Sequence, residues 1–257
     1  MPTSTPRPAL ACLFLCACLV ALLPGCVKYK QTLTVQPDGS GKVELVFGMS
    51  DPQLALLGPD ADPFAGFSVA ALAENPQGFV AFSRPRVQDR GGFRVMSFTG
   101  YFDDVSDLGF AGGAAGGEGF DAVSYALSDG VLVVRRPLAG QAAAAFRQEG
   151  LDLGDEEVRR VLAPSVAGLE LEERFVVPGR VRSAGPLAVD GDAASASVNG
   201  ADDALGRHAE LMDAYAGLDR VEVRFEPREP SAAEAAAWAR ELRDAKAAWA
   251  QIVREQG

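Results

Sequence analysis

Beyond residue 26 the sequence has no cysteine: its four, Cys12, Cys16, Cys18 and Cys26, all stand near the amino terminus of a 257-residue chain. The remainder forms no disulfide and offers no thiolate cluster to a metal. Histidine is nearly as scarce. His208 is the single one, which excludes His-rich zinc sites and leaves a Ser-His-Asp hydrolase only one imidazole to use. No Gly-x-Ser-x-Gly elbow accompanies it, and its neighbours Ala209, Met212 and Tyr215 form an amphipathic stretch, the setting of a structural histidine. Lysine is rare beside arginine, and the formal charge is −11. Clustered basic residues for a phosphate backbone are missing, so no nucleic-acid partner is expected, and charge alone does not lay the chain flat on anionic lipid.

Candidate chemistry among the acids is equally thin. The doublets Asp103-Asp104, Glu156-Glu157, Glu172-Glu173 and Asp202-Asp203 supply carboxylates. Sequence neighbours on a strand point to opposite sides, however, so no doublet is by itself an acid/base pair. The segment Val189 to Gly200 lacks the glycine and glutamate that a calcium loop needs and reads as a hairpin turn. The glycine-rich stretch at residues 111–119 is followed by no Lys-Ser/Thr and reads as a flexible linker. No cofactor, no metal and no enzymatic activity are expected.

What the first residues hold is an export signal. Arg7 is followed by an unbroken apolar run from Ala9 to Leu23 and then by Pro24-Gly25-Cys26. A positive charge, an apolar segment and small residues make the order of a secretory signal peptide. The run is shorter than the roughly 20 residues a membrane span requires.

Leu23-Pro24-Gly25-Cys26 resembles the lipobox of bacterial lipoproteins. The resemblance implies cleavage after Gly25, a diacylglyceryl group on the thiol of Cys26 and acylation of the new amine. Two or more chains make a stable anchor where one does not. Cys26 is therefore the expected lipidation site, and the membrane the expected partner through its acyl chains. The chain would reside on the periplasmic side of the outer membrane in a diderm host, since Val27 is not the inner-membrane retention aspartate, or on the outer face of the cytoplasmic membrane in a monoderm one.

The exported part divides into residues 26–228, an α+β domain, and residues 229–257, an amphipathic helix packed on that domain. Alternating runs from Val27 to Val35 and from Val43 to Phe47 flank Pro37-Asp38-Gly39-Ser40-Gly41 and predict a hairpin. Further hairpins are predicted around Asp89-Arg90-Gly91-Gly92 and around Ser128-Asp129-Gly130. Serial hairpins predict an antiparallel sheet. Short helices are expected between Asp51 and Pro76, in residues 139–163 and from Asp202 to Tyr215. Strands are expected from Gly168 to Val177, on both sides of Asp190-Gly191-Asp192, and across Val221, Val223 and Phe225.

The last segment is the clearest. Ser231 and Glu234 form a capping box after Pro230, and Trp238, Leu242, Ala245, Trp249 and Ile252 recur along one helical stripe. That stripe is expected to cover the sheet, the other reading being a docking face for a second protein.

The stretch from Phe175 to Asp192, a strand ending in Val-Pro-Gly-Arg-Val and then an Asp-Gly turn, resembles the LppM-like group of bacterial lipoproteins, as does a lipidated cysteine leading at once into a hairpin. The resemblance implies an α+β envelope domain without known enzymatic activity that contacts envelope lipids or glycolipids. The expected function is a lipid-anchored binding or assembly module for a lipid or amphipathic ligand. A protein-interaction scaffold without a small ligand is the alternative, and an envelope hydrolase the third.

Overall fold

The computed structural model describes residues 27–57, 62–110, 123–135, 170–199 and 220–256, with Glu156 and Arg160. Cys26, His208, the glycine-rich stretch at 111–119 and the helix expected from Asp202 to Tyr215 lie outside them, as does the helix expected in 139–163 apart from Glu156 and Arg160.

The first hairpin is β1 (Val27–Val35) and β2 (Gly41–Ser50). Two short helices, α1 (Asp51–Leu57) and α2 (Val69–Glu74), flank a 3₁₀ turn at Ala65–Phe67. β3 (Ala81–Phe82), β4 (Arg86–Arg90) and β5 (Phe93–Phe102) follow, then a 3₁₀ turn at Val105–Asp107 and β6 (Gly109–Phe110). β7 (Val123–Ser128) and β8 (Val131–Arg135) form another hairpin. β9 (Glu170–Val176), β10 (Gly179–Ser183), β11 (Ala188–Asp190), β12 (Ala193–Asn199) and β13 (Arg220–Pro227) complete the strands, and α3 (Ala232–Gln256) ends the chain.

The local elements follow the sequence pattern. In β13, Val221, Val223 and Phe225 are buried and Arg220, Arg224 and Glu226 exposed, as alternation requires of a strand with one wet face. Between β7 and β8, Asp129 and Gly130 adopt φ of 47° and 77°. That left-handed pair matches the twist of a tight hairpin, and Asp-Gly is suited to it.

The assembly differs from a single antiparallel sheet of serial hairpins. The strands form two sheets, one of eight strands ordered β11-β12-β9-β1-β2-β5-β3 with β4 also on β5, and one of five ordered β10-β13-β8-β7-β6. The larger sheet is mixed: β1 pairs β2 antiparallel but β9 parallel, with Leu33 opposite Phe175. Turns fix only which neighbours pair. Which hairpins share a sheet is decided by burial over long sequence distances, and Leu33, Phe175 and Ala194 form one apolar row only when β9 lies between β1 and β12. Pro178 then ends β9, since it has no N–H to continue the ladder, and β10 enters the other sheet.

The inner faces of both sheets share one core. Leu33, Val43, Met96, Phe102 and Phe175 come from the larger sheet, Leu132, Val134, Val221 and Val223 from the smaller, all almost fully buried. Each such side chain contributes about 1.5–3 kcal/mol of hydrophobic stabilisation. The α+β class holds, with sheet predominating.

Candidate functional site

The site is built where α3 crosses the far end of β1 and β2. The β1–β2 turn closes through Gln36 N–H to the Ser40 carbonyl at 2.7 Å and Gly39 N–H to the Gln36 carbonyl at 3.0 Å. Asp38 Oδ1 accepts from the Ser40 N–H at 3.0 Å and from the Ser40 hydroxyl. The turn is thereby held rigid, and Ser40 Oγ is left as an acceptor facing the helix.

The helix start is fixed as its sequence indicates. Ser231 Oγ accepts from the Glu234 N–H at 3.2 Å, and a Glu234 carboxylate oxygen accepts from the Ser231 N–H at 2.7 Å. This is a complete capping box. Arg228 adds an ion pair to Glu234 at 3.0 Å. The Arg228 bond first, and then those from Ser231, pull the Glu234 carboxyl down to about 2.

Downstream, α3 meets successive strands in order. Trp238 Nε1 donates to Ser40 Oγ at 2.8 Å, and the indole stacks on Tyr101 of β5. Glu241 accepts from Lys42 Nζ at 2.9 Å and from the Tyr101 hydroxyl at 3.4 Å. Partial burial disfavours the Lys42 charge, but the Glu241 bond and the charges of Glu241 and Glu44 outweigh it and raise the Lys42 pKa. Burial, and after it the Glu241 charge, raises that of Tyr101. Lys246 binds both Asp103 oxygens, at 2.7 and 2.8 Å, and Trp249 packs edge-on against Phe82 of β3 at 5.2 Å. Arg84 closes the series with Glu255 at 2.8 Å.

Even so, none of the helix's residues is fully buried. Its apolar stripe faces the fold but is covered incompletely, and the uncovered part is a groove of about 460 Å³ between α3 and the β1–β2 turn. Pro37 and Asp38 line it from the turn and Trp238, Ala239, Leu242, Arg243 and Lys246 from the helix. That volume falls in the range of small-molecule sites, which are mostly apolar with a few polar groups. Lys246 is committed to Asp103, whereas among the described residues Arg243 meets only its neighbour Asp244, at 3.7 Å. The arrangement can take an apolar chain against the indole and offer a cation to an anionic head.

Of the residues singled out in sequence, Trp238 and Leu242 reach this groove, while Trp249 serves the β3 edge. Of the acidic doublets, Glu172 and Glu173 separate as strand geometry requires, Asp103 and Asp104 lie just beyond β5, and Glu157, Asp202 and Asp203 lie outside the described residues. Glu172 pairs with Lys30 on the outer face at 3.2 Å, and Glu173 stands opposite Gln31 on the inner one. Asp103 holds Lys246, and Asp104 accepts from the Ser106 N–H. Sequence reasoning missed Pro37 and Ser40 as partners of the helix. Only Trp238, an indole needing an acceptor, signalled that one had to exist.

No protein-family model matches the chain, and no curated protein matches it. Among solved structures, the fold is similar to the NMR structure of the folded domain of the Mycobacterium tuberculosis LppM protein. The TM-score is 0.40 and the identity 12%, over 81% of this chain and 94% of that one. No residue's role transfers from a likeness at that level.

Proposed function

We propose that the chain is a lipid-anchored, non-enzymatic envelope module, tethered through Cys26, that takes a lipid or other amphipathic ligand in the groove between α3 and the β1–β2 turn. The observation that carries this reading is the groove: Trp238 and Leu242, half-buried on the helix stripe, line a space of about 460 Å³. Each methylene removed from water there contributes about 0.8 kcal/mol of gross stabilisation. The anchoring half of the reading is supported by two sequence features, the lipobox-like Leu23 to Cys26 and the short apolar run before it, and by β1 beginning at Val27. No helix among the described residues is long and apolar enough to cross a membrane.

Native mass spectrometry of the full chain extracted from membranes tests both halves. A co-purifying lipid adduct that is lost in Leu242→Arg supports the groove, and its absence from both proteins contradicts it. Membrane fractionation that is lost in Cys26→Ser supports the anchor; unchanged fractionation at unchanged mass contradicts it.

A second reading, a scaffold docking another protein along α3, is favoured by the exposure of the helix face turned away from the sheet, where Arg240, Asp244 and Gln251 lie.

A further inference from the structure

The outer face of the five-stranded sheet carries an imbalance of charge opposite to that of the chain. Among the described residues it holds five arginines, Arg135 on β8, Arg180 and Arg182 on β10, and Arg220 and Arg224 on β13, against two carboxylates, Glu222 and Glu226. All five arginines are exposed. Both carboxylates are already engaged: Glu222 meets Arg220 at 2.6 Å and also Arg224, and Glu226 meets Arg182. The face is therefore left net positive in a protein of formal charge −11.

One detail shows that this is more than scattered surface charge. Arg135 and Arg220 stand directly opposite each other across the β8–β13 ladder. Like charges in that position destabilise a sheet. Glu222 offsets Arg220 at 2.6 Å, whereas among the described residues no carboxylate meets Arg135, which leaves that guanidinium open to an external anion.

The place of the pair within the molecule indicates the source of that anion. β13 ends at Pro227, which pairs with Gly179 just beyond Val176, and Val176 stands opposite Thr34 near the end of β1. Arg220, at the other end of β13, thus lies toward the start of β1. The second sheet agrees. Gln31 Nε2 donates to the Tyr125 hydroxyl at 3.2 Å, and the preceding residue of β7, Ser124, is the partner of Arg135. Gln31 is only about 13 Å of strand from Val27. Among the described residues the opposite end carries acids in its turns, Asp38, Asp103, Asp104 and Asp192, whereas at the Val27 end Asp51 and Asp89 are balanced by Arg90 and Arg94.

We infer that the Arg135 and Arg220 end of this sheet face docks on the phosphate headgroups of the anionic bilayer that holds the acyl chains on Cys26. This rests on the anchoring reading above and adds an orientation to it. Guanidinium forks match phosphate oxygens in pairs, and an anionic leaflet attracts basic groups within a Debye length of about 8 Å. Overall negative charge repels the rest of the molecule, so the positive end turns down and the α3 groove points away from the membrane.

The test uses the full lipidated chain in nanodiscs of phosphatidylcholine alone or mixed with phosphatidylglycerol. A fluorophore is placed at Ala126→Cys, on the outer face opposite Val133, and the discs carry a headgroup quencher. A second label at Ala250→Cys, exposed on α3, is the control. Several-fold stronger quenching at position 126 on the anionic discs is expected, reversed by high salt and absent at position 250. Arg135→Gln with Arg220→Gln is expected to lower it to the phosphatidylcholine level, and the Lys pair at the same positions to retain most of it. Equal quenching on both lipids, or quenching indifferent to the double Gln variant, overturns the docking while leaving the anchor intact. A chain that does not stay with the discs at all overturns the anchor, and the docking with it.

Discussion

The indole of Trp238 donates to Ser40 Oγ at 2.8 Å, across 198 positions of sequence, and the Ser40 hydroxyl in turn donates a hydrogen bond to Asp38. This chain of bonds joins the helix to the first hairpin turn and fixes Trp238 and Asp38, both of which line the groove. Ser40→Ala leaves the indole N–H without its acceptor in a partly buried setting. A loss of about 1–2 kcal/mol is expected, read as a lower midpoint in denaturant unfolding at unchanged slope. A double-mutant cycle with Trp238→Phe is expected to show coupling; additive effects would mean that the bond contributes nothing.

The start of α3 carries a pH signature. Glu234 titrates at about 2 instead of its ordinary 4.5, held down first by Arg228 and then by Ser231. A depressed carboxyl contributes stability that is fully present above the unfolded value and lost as pH falls through the folded one. The stability difference between the native chain and Glu234→Gln is therefore expected to be constant above pH 4.5 and to close between there and about 2. Thermal melts followed by circular dichroism at stepped pH measure it. The pair is fully exposed, so salt is expected to shrink the difference.

Gly41 permits the close approach at the head of β2. A Cβ there would stand 2.1 Å from the Thr34 carbonyl oxygen and 2.5 Å from the Phe102 ring. Neither the backbone nor a fully buried ring can yield cheaply, so Gly41→Ala is expected to cost roughly 3 kcal/mol. Gly91→Ala is the comparison, since nothing lies within 4 Å of its added carbon. Its cost is expected to come from its left-handed backbone alone, about 1 kcal/mol. Equal midpoints for the two variants would refute the packing argument.

Much of the secondary structure was legible because it is locally encoded. Alternation marked β13, Asp-Gly and Gly-Gly marked the turns after β7 and β4, and Ser231 with Glu234 marked the first turn of α3. The sheet partition was not legible. Whether β7 and β8 join β5 or face it across a core depends on Tyr125 meeting Gln31 and on β9 reaching β1, contacts over 94 and about 140 positions. The groove was half legible: the stripe through Trp238 and Leu242 shows which helix face is apolar, but not that the turn at Pro37 leaves part of it open. The Arg135–Arg220 pair was invisible, because each arginine ends a separate strand that looks like an ordinary amphipathic one.

The central claim is that this groove receives an amphiphile. With Trp249→Phe, Trp238 becomes the single tryptophan and reports on the groove alone. Titrating that protein with laurate or dodecylphosphocholine below their micelle concentrations is expected to give a saturable blue shift of the indole emission, abolished by adding Leu242→Arg. No shift with either amphiphile, or the same shift in the Leu242→Arg protein, would contradict it.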